Sequence, residues 1–79
     1  MVRSAKERAI AANFEAFEKL LPSLLEASAG KFVLMRNRKP EGIFESAGEA
    51  YASGSSRFDD GLFSVQKIKE GAVSLGFFS

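Results

Sequence analysis

The run Phe32-Val33-Leu34-Met35 constrains this chain more than any other stretch. Successive side chains of a β-strand point to opposite faces, so four apolar residues in a row leave neither face suited to water. The strand that carries them, Lys31 to Arg36, belongs in the middle of a sheet with cover on both sides. A chain of 79 residues has room for one domain. A domain this short buries only about 60% of the surface its unfolded form exposes. Cover for both faces must come from few elements or be shared with a second copy.

The segment before that strand reads as helix. Ser4 and Glu7 stand at capping-box spacing. Ile10, Phe14, Phe17, Leu21 and Leu24 then recur at steps of four and three, one apolar stripe at helical period. Lys6, Arg8, Asn13, Glu15 and Lys19 are assigned to the opposite, solvated face. Pro22 has no N–H and disfavours helical geometry at Leu21, which predicts a break near Leu20 and a short second helix from Pro22 to Ala27. Gly30 ends it. The stripe packs on the domain's own sheet or, in the alternative, meets a partner helix.

After the first strand, Asn37-Arg38-Lys39-Pro40 reads as a turn, because proline stops a regular ladder from running through it. A second strand follows from Glu41 to Glu45, with Ile43 and Phe44 as its apolar residues. Ser46 and Glu49 repeat the capping spacing, so the next helix starts at Ala47 and buries Ala50, Tyr51, Gly54 and Phe58. A glycine inside a helix costs about 1 kcal/mol against alanine; at Gly54 close approach to the sheet is the expected reason. Asp59-Asp60-Gly61 is a turn, and a third strand runs from Leu62 to Ile68.

A strand-helix-strand crossover is right-handed with its two strands parallel. The doubly apolar first strand then sits between them, in a three-stranded sheet of order 2-1-3. The expected fold class is α+β. Residues 4–28 form a helical N-terminal segment, 30–68 a β-β-α-β unit, and 69–79 an apolar tail. Val73, Leu75, Phe77 and Phe78 of the tail are too apolar to leave in water, so the tail folds back on the domain or docks on a second subunit.

Composition narrows the chemistry. The chain has no cysteine and no histidine, so it lacks thiolate chemistry and the commonest general base and metal ligand. Asp59 and Asp60 are its only aspartates, and a capped turn accounts for both. Glu41 and Glu45 read as solvated edge charges. Ser46, Ser53, Ser55, Ser56 and Ser64 have no histidine to activate them, and Gly48, Gly54 and Gly61 do not have phosphate-loop spacing. The expectation is a protein that is not an enzyme and holds no cofactor or metal. A net charge of +1 is too mild to demand a nucleic-acid or membrane partner. The N-terminus leads into charged helix and not into an apolar signal core, and no apolar run approaches a membrane span. The expected location is the cytoplasm, which the cysteine-free composition fits.

Four stretches carry a resemblance: Pro22-Ser23-Leu24-Leu25, Gly30-Lys31-Phe32-Val33-Leu34-Met35, Gly61-Leu62-Phe63-Ser64-Val65-Gln66 and Leu75-Gly76-Phe77-Phe78-Ser79. From about Phe14 onward the chain resembles a group of short, uncharacterised bacterial proteins. They are domains of unknown function in which a Gly-Lys-aromatic strand opens a hairpin-helix-strand unit. The resemblance implies the fold and brings no catalytic role. This chain departs from the group at the hairpin tip, where an Asp-Gly type of two-residue turn is replaced by Asn37-Arg38-Lys39-Pro40. That departure implies a longer loop or a shifted register.

Two surfaces are candidate sites. Phe14, Phe17, Leu21, Phe77 and Phe78 are the expected contacts of a two-fold symmetric homodimer, since the apolar stripe, the tail and one sheet face must close on one another or on a second copy. The first choice of function is accordingly a small non-catalytic protein-interaction or structural module that self-associates. The alternative is a weak nucleic-acid-binding module. It would use Lys31, Arg36, Arg38 and Lys39 around the hairpin, with Arg57 nearby and Phe44 to stack a base if one sheet face were open.

Overall fold

The computed structural model of the chain describes residues 4–70. Its elements, in order, are α1 (Ala5–Ser28), β1 (Phe32–Arg36), β2 (Lys39–Phe44), α2 (Ala47–Arg57) and β3 (Ser64–Lys67). The strands form one sheet in the order β2-β1-β3. Both outer strands are antiparallel to β1, so β2 and β3 are parallel to each other and α2 is the crossover between them. The fold is α+β, with the doubly apolar strand in the middle.

α1 starts as its cap spacing predicts. The Glu7 amide donates to Ser4 Oγ at 3.1 Å and the Ser4 amide donates to Glu7 Oε1 at 3.2 Å, a reciprocal capping box. The helix then runs for 24 residues without the break expected at Pro22. Pro22 is exposed, and so is Glu18, whose carbonyl loses its donor four residues on. At an exposed position water can take the place of the missing donor, so the proline does not require a polar group to be stranded in the core. Beyond the proline, Leu24 and Leu25 pack on the same cluster as Phe17 and Leu21, and a break would carry them off it. α1 ends in a type II turn: Ala29 has φ −54° and ψ 135°, Gly30 has φ +85°, and the Lys31 amide donates to the Ser28 carbonyl at 3.0 Å. The Gly30 amide donates to the Ile68 carbonyl at 2.7 Å and the Ile68 amide to the Lys31 carbonyl at 2.8 Å, tying the start of β1 to the end of β3.

Val33 and Met35 share one buried cluster with Phe17 of α1 and with Ile68. Leu34 shares another with Ala50 of α2, Phe63 and Val65. Neighbours on a strand point to opposite faces, so the two clusters lie on opposite sides of the sheet and the helices enclose it. Both faces of β1 are therefore closed within a single copy. On the α2 side the backbone comes very near the sheet. A Cβ at Gly54 would sit 2.5 Å from Cε1 of Phe63, which is the close approach expected of a glycine there. Tyr51 departs from its predicted burial: it is 46% exposed, one side of its ring lying against Phe63 at 5.5 Å.

The hairpin differs most from expectation. Asn37 and Arg38 have φ of 52° and 65°, and Arg36 pairs with Lys39. This is a two-residue turn of type I′, not a four-residue turn running to Pro40. Lys39 and Pro40 belong to β2, where an edge position tolerates a residue with no N–H. The register does shift: Leu34 faces Gly42 while Met35 faces Pro40, leaving Glu41 as a bulge. β3 is shorter than the predicted 62–68, because residues 61–63 approach the sheet without pairing.

Candidate functional site

The hairpin tip is held from α1. Asn13, which the periodicity assigned to the solvated face, is 1% exposed. Its Nδ2 donates to the Met35 carbonyl at 3.3 Å, and its Oδ1 accepts from the Arg38 amide at 2.8 Å. The side chain thus satisfies both ends of a turn whose residues take the left-handed conformation, unfavourable for anything but glycine, asparagine or aspartate. A signal for this was present. Asn13 stands three residues after Ile10 and four before Phe17, inside the apolar stripe and not across from it.

Beside this clamp lies an open cleft of about 300 Å³, lined by Ala9, Ala12 and Asn13 of α1 and by Asn37 and Arg38 of the turn. Two alanines make room on the helix side. Arg38 is exposed at its rim.

The four basic residues proposed for nucleic acid do not form one patch. Lys31 precedes β1 and lies at the end of the strand away from the tip, where its Nζ meets Glu45 at 3.1 Å. Arg36 is held by Asp60 through two contacts of 2.5 and 3.0 Å and stacks over Phe58 at 4.4 Å. Arg57 stacks over the same ring at 5.0 Å and binds the bulged Glu41 at its carbonyl and its carboxylate, at 3.2 and 2.9 Å. Phe44 packs with the cluster under α2, so its ring does not face an open sheet. Only Arg38 and Lys39 of the original four are at the tip with no ion pair among the described residues. The pairing of Arg36 with Asp60, 24 positions apart, has no local sequence signal.

Asp60 has two structural roles. Its Oδ1 accepts from the Leu62 amide at 2.9 Å, an Asx turn, while both oxygens engage Arg36. The hydrogen bonds from Arg36 first, and from the Leu62 amide second, hold its carboxyl down at about 2. The same pairing raises Arg36 above the ordinary guanidinium value. Neither the Asp59-Asp60 pair nor the Glu41 and Glu45 pair gathers into a metal site; the described residues contain no group of three or more His, Cys, Asp or Glu able to hold an ion. Ser64 is buried and its Oγ has no hydrogen-bond partner among the described residues.

Of the expected dimer contacts, Phe17 is fully buried in the cluster beneath α1, because the centre of the α1 stripe packs on its own sheet. Phe14 and Leu21 flank it and are only partly buried. Phe77 and Phe78 lie outside the described residues. No helix among the described residues is long and apolar enough to cross a membrane. No family model matches this chain, and neither a curated protein nor a solved structure matches it.

Proposed function

We propose that this chain is a small non-catalytic protein-interaction module that self-associates through the flank of α1. The observation that carries the reading is apolar surface left over after both sheet faces are closed. Phe14, Leu20, Leu21, Leu24 and Leu25 pack against the core yet stay partly open to solvent. Ile43, on the same side of the sheet as Val33, is 39% exposed. A two-fold contact along this flank would bury leucines that a domain of this size gains by covering. The motive differs from a missing layer of cover, since α1 supplies that layer; what remains is the rim of its stripe. The non-catalytic half of the reading rests on the absence of histidine and cysteine from the sequence. A bacterial cytoplasmic setting is part of the same proposal; the cysteine-free composition fits it. Nucleic-acid binding is the weaker reading, since Lys31 and Arg36 are engaged by acids.

Sedimentation equilibrium at tens of micromolar tests this. The expected result is a dimer mass for the natural chain and a monomer mass for Leu21→Glu, with matching circular dichroism for the two. A monomer mass for the natural chain refutes self-association.

A further inference from the structure

We infer that the cleft between the first turns of α1 and the hairpin tip is a docking slot for an acidic segment of a partner protein. This goes beyond self-association and does not depend on it, since the slot and the leucine flank use different residues. The cations are not distributed evenly over the surface. Lys31, Arg36 and Arg57 are each neutralised in place, by Glu45, Asp60 and Glu41. Around the cleft the cations have no such partner. Arg38 lines it, whereas Lys39, paired with Arg36, stands on the α2 face of the sheet and is not part of it. Lys6 lies one helical turn before Ala9, and Arg8 one turn before Ala12. Arg38, Lys6 and Arg8 are exposed, and none makes an ion pair among the described residues. Two carboxylates share this stretch of helix: Glu7, which accepts the Ser4 amide in the cap, and Glu15, one turn beyond Ala12. The cations outnumber them, and like charges gathered at a concave surface raise the local potential for an anion.

The slot has a fixed shape. Asn13 is buried and bonded both to Met35 and to the Arg38 amide, so the residue that carries the rim guanidinium leaves a clamped backbone. Ala9 and Ala12 provide an apolar wall where longer side chains would fill the space. A volume of about 300 Å³ suits one or two side chains of a peptide. Arg38 offers a planar fork matched to a carboxylate. Among the described residues no aromatic ring lines the cleft, so they offer no stacking platform of the kind that single-stranded nucleic acid uses. A second copy presenting its own acids here would make a head-to-tail contact that does not close on itself.

The probe is an end-labelled Glu-Ala-Glu-Ala-Glu peptide titrated with the full chain by fluorescence anisotropy at low salt, beside its Gln-Ala counterpart. Binding of the acidic peptide alone, weakening as salt rises, is expected. Arg38→Gly removes the guanidinium while glycine keeps the positive φ, and should weaken binding about fivefold or more, as loss of a direct charge partner does. Ala12→Leu fills the slot and changes no charge, and should weaken binding similarly. Lys31→Gln removes one positive charge at the far end and should leave affinity within about twofold, as a distant screened charge does. Leu21→Glu should still bind, which separates this slot from the dimer flank. The inference is overturned if the acidic peptide does not bind, if Lys31→Gln weakens it as much as Arg38→Gly, or if Ala12→Leu has no effect. It is also overturned if a single-stranded oligonucleotide binds more tightly than the peptide and loses affinity equally on Arg38→Gly.

Discussion

The two faces of the sheet are covered by different means. Under α2 the contact is made by smallness: Ala50 and Gly54 are the helix's buried residues, and the backbone rests on the ring of Phe63. That ring is hemmed in by Tyr51 at 5.5 Å and Phe58 at 6.2 Å. Under α1 the contact is made by size and by one polar clamp. Phe17 fills the centre, leucines spread to either side, and Asn13 bonds to the hairpin. A short helix of 11 residues has few large side chains to offer, so it gains contact by coming close. A long one of 24 residues makes its contact with large side chains. The first arrangement tolerates no added atom, and the second tolerates no lost one.

The largest effects should come from truncating the centre of each cluster. Phe17→Ala is expected to cost about 3–5 kcal/mol and Leu34→Ala about 2–5 kcal/mol, each leaving a cavity in a packed interior. A domain of this length has on the order of 4–12 kcal/mol in total at 0.05–0.15 kcal/mol per residue, so either change can unfold it. Urea denaturation reads both. A midpoint near that of the natural chain for Phe17→Ala would mean that α1 is not the cover of its face.

Gly54→Ala sharpens the contrast, because it adds a single carbon. Alanine improves helix propensity by about 1 kcal/mol, yet its Cβ would fall 2.5 to 2.8 Å from three atoms of the Phe63 ring. Overpacking of this kind costs about 1–3 kcal/mol, so a lowered thermal midpoint is expected in spite of the better propensity. A raised midpoint would show that the ring can give way.

Asn13→Ala tests the polar clamp on the other face. It leaves the Met35 carbonyl and the Arg38 amide without their partner, at a cost of about 1–3 kcal/mol if both stay dry. Amide hydrogen exchange at Arg38 should speed up more than exchange at Val33 in the same variant. Equal protection at both would mean the turn holds without the clamp.

The smallest effect is electrostatic and appears only in acid. The folded carboxyl of Asp60 titrates at about 2, against about 3.9 for an unfolded aspartate. Its contribution to stability is full above the unfolded value, is lost as pH falls through the folded one, and does not change between pH 6 and about 9. Asp60→Asn keeps an acceptor for the Leu62 amide and removes the charge. Its denaturation midpoint should lie slightly below that of the natural chain at neutral pH, and the two should converge as pH falls from about 4 towards about 2. A gap that persists unchanged in acid would mean that the Arg36 pairing does not stabilise the fold.

Much of this architecture was legible along the chain because its causes are local. Ser4 with Glu7 and Ser46 with Glu49 mark helix starts within four residues, and Ser46 Oγ does accept from the Glu49 amide at 3.1 Å. The run Phe32 to Met35 demanded a central strand, and the crossover rule then left one order for three strands. The candidate site was less legible. Nearness in sequence groups the basic residues into one patch, whereas strand direction sends Lys31 and Arg38 to opposite ends of β1.

What the sequence by itself determined is where the two main helices start, the presence of three strands, the α+β class and the order 2-1-3. Caps, periodicity and turn chemistry act over a few residues, and a doubly apolar strand has one place to go. The tertiary structure alone decided that α1 takes the face opposite α2, that the helix continues through Pro22, that Asn13 turns inward, and that Arg36 finds Asp60. Each of these depends on surfaces far apart in the chain. The helix stays whole because leucines beyond the proline have a core to reach, and the asparagine is buried because the hairpin tip arrives with one donor and one acceptor to match it.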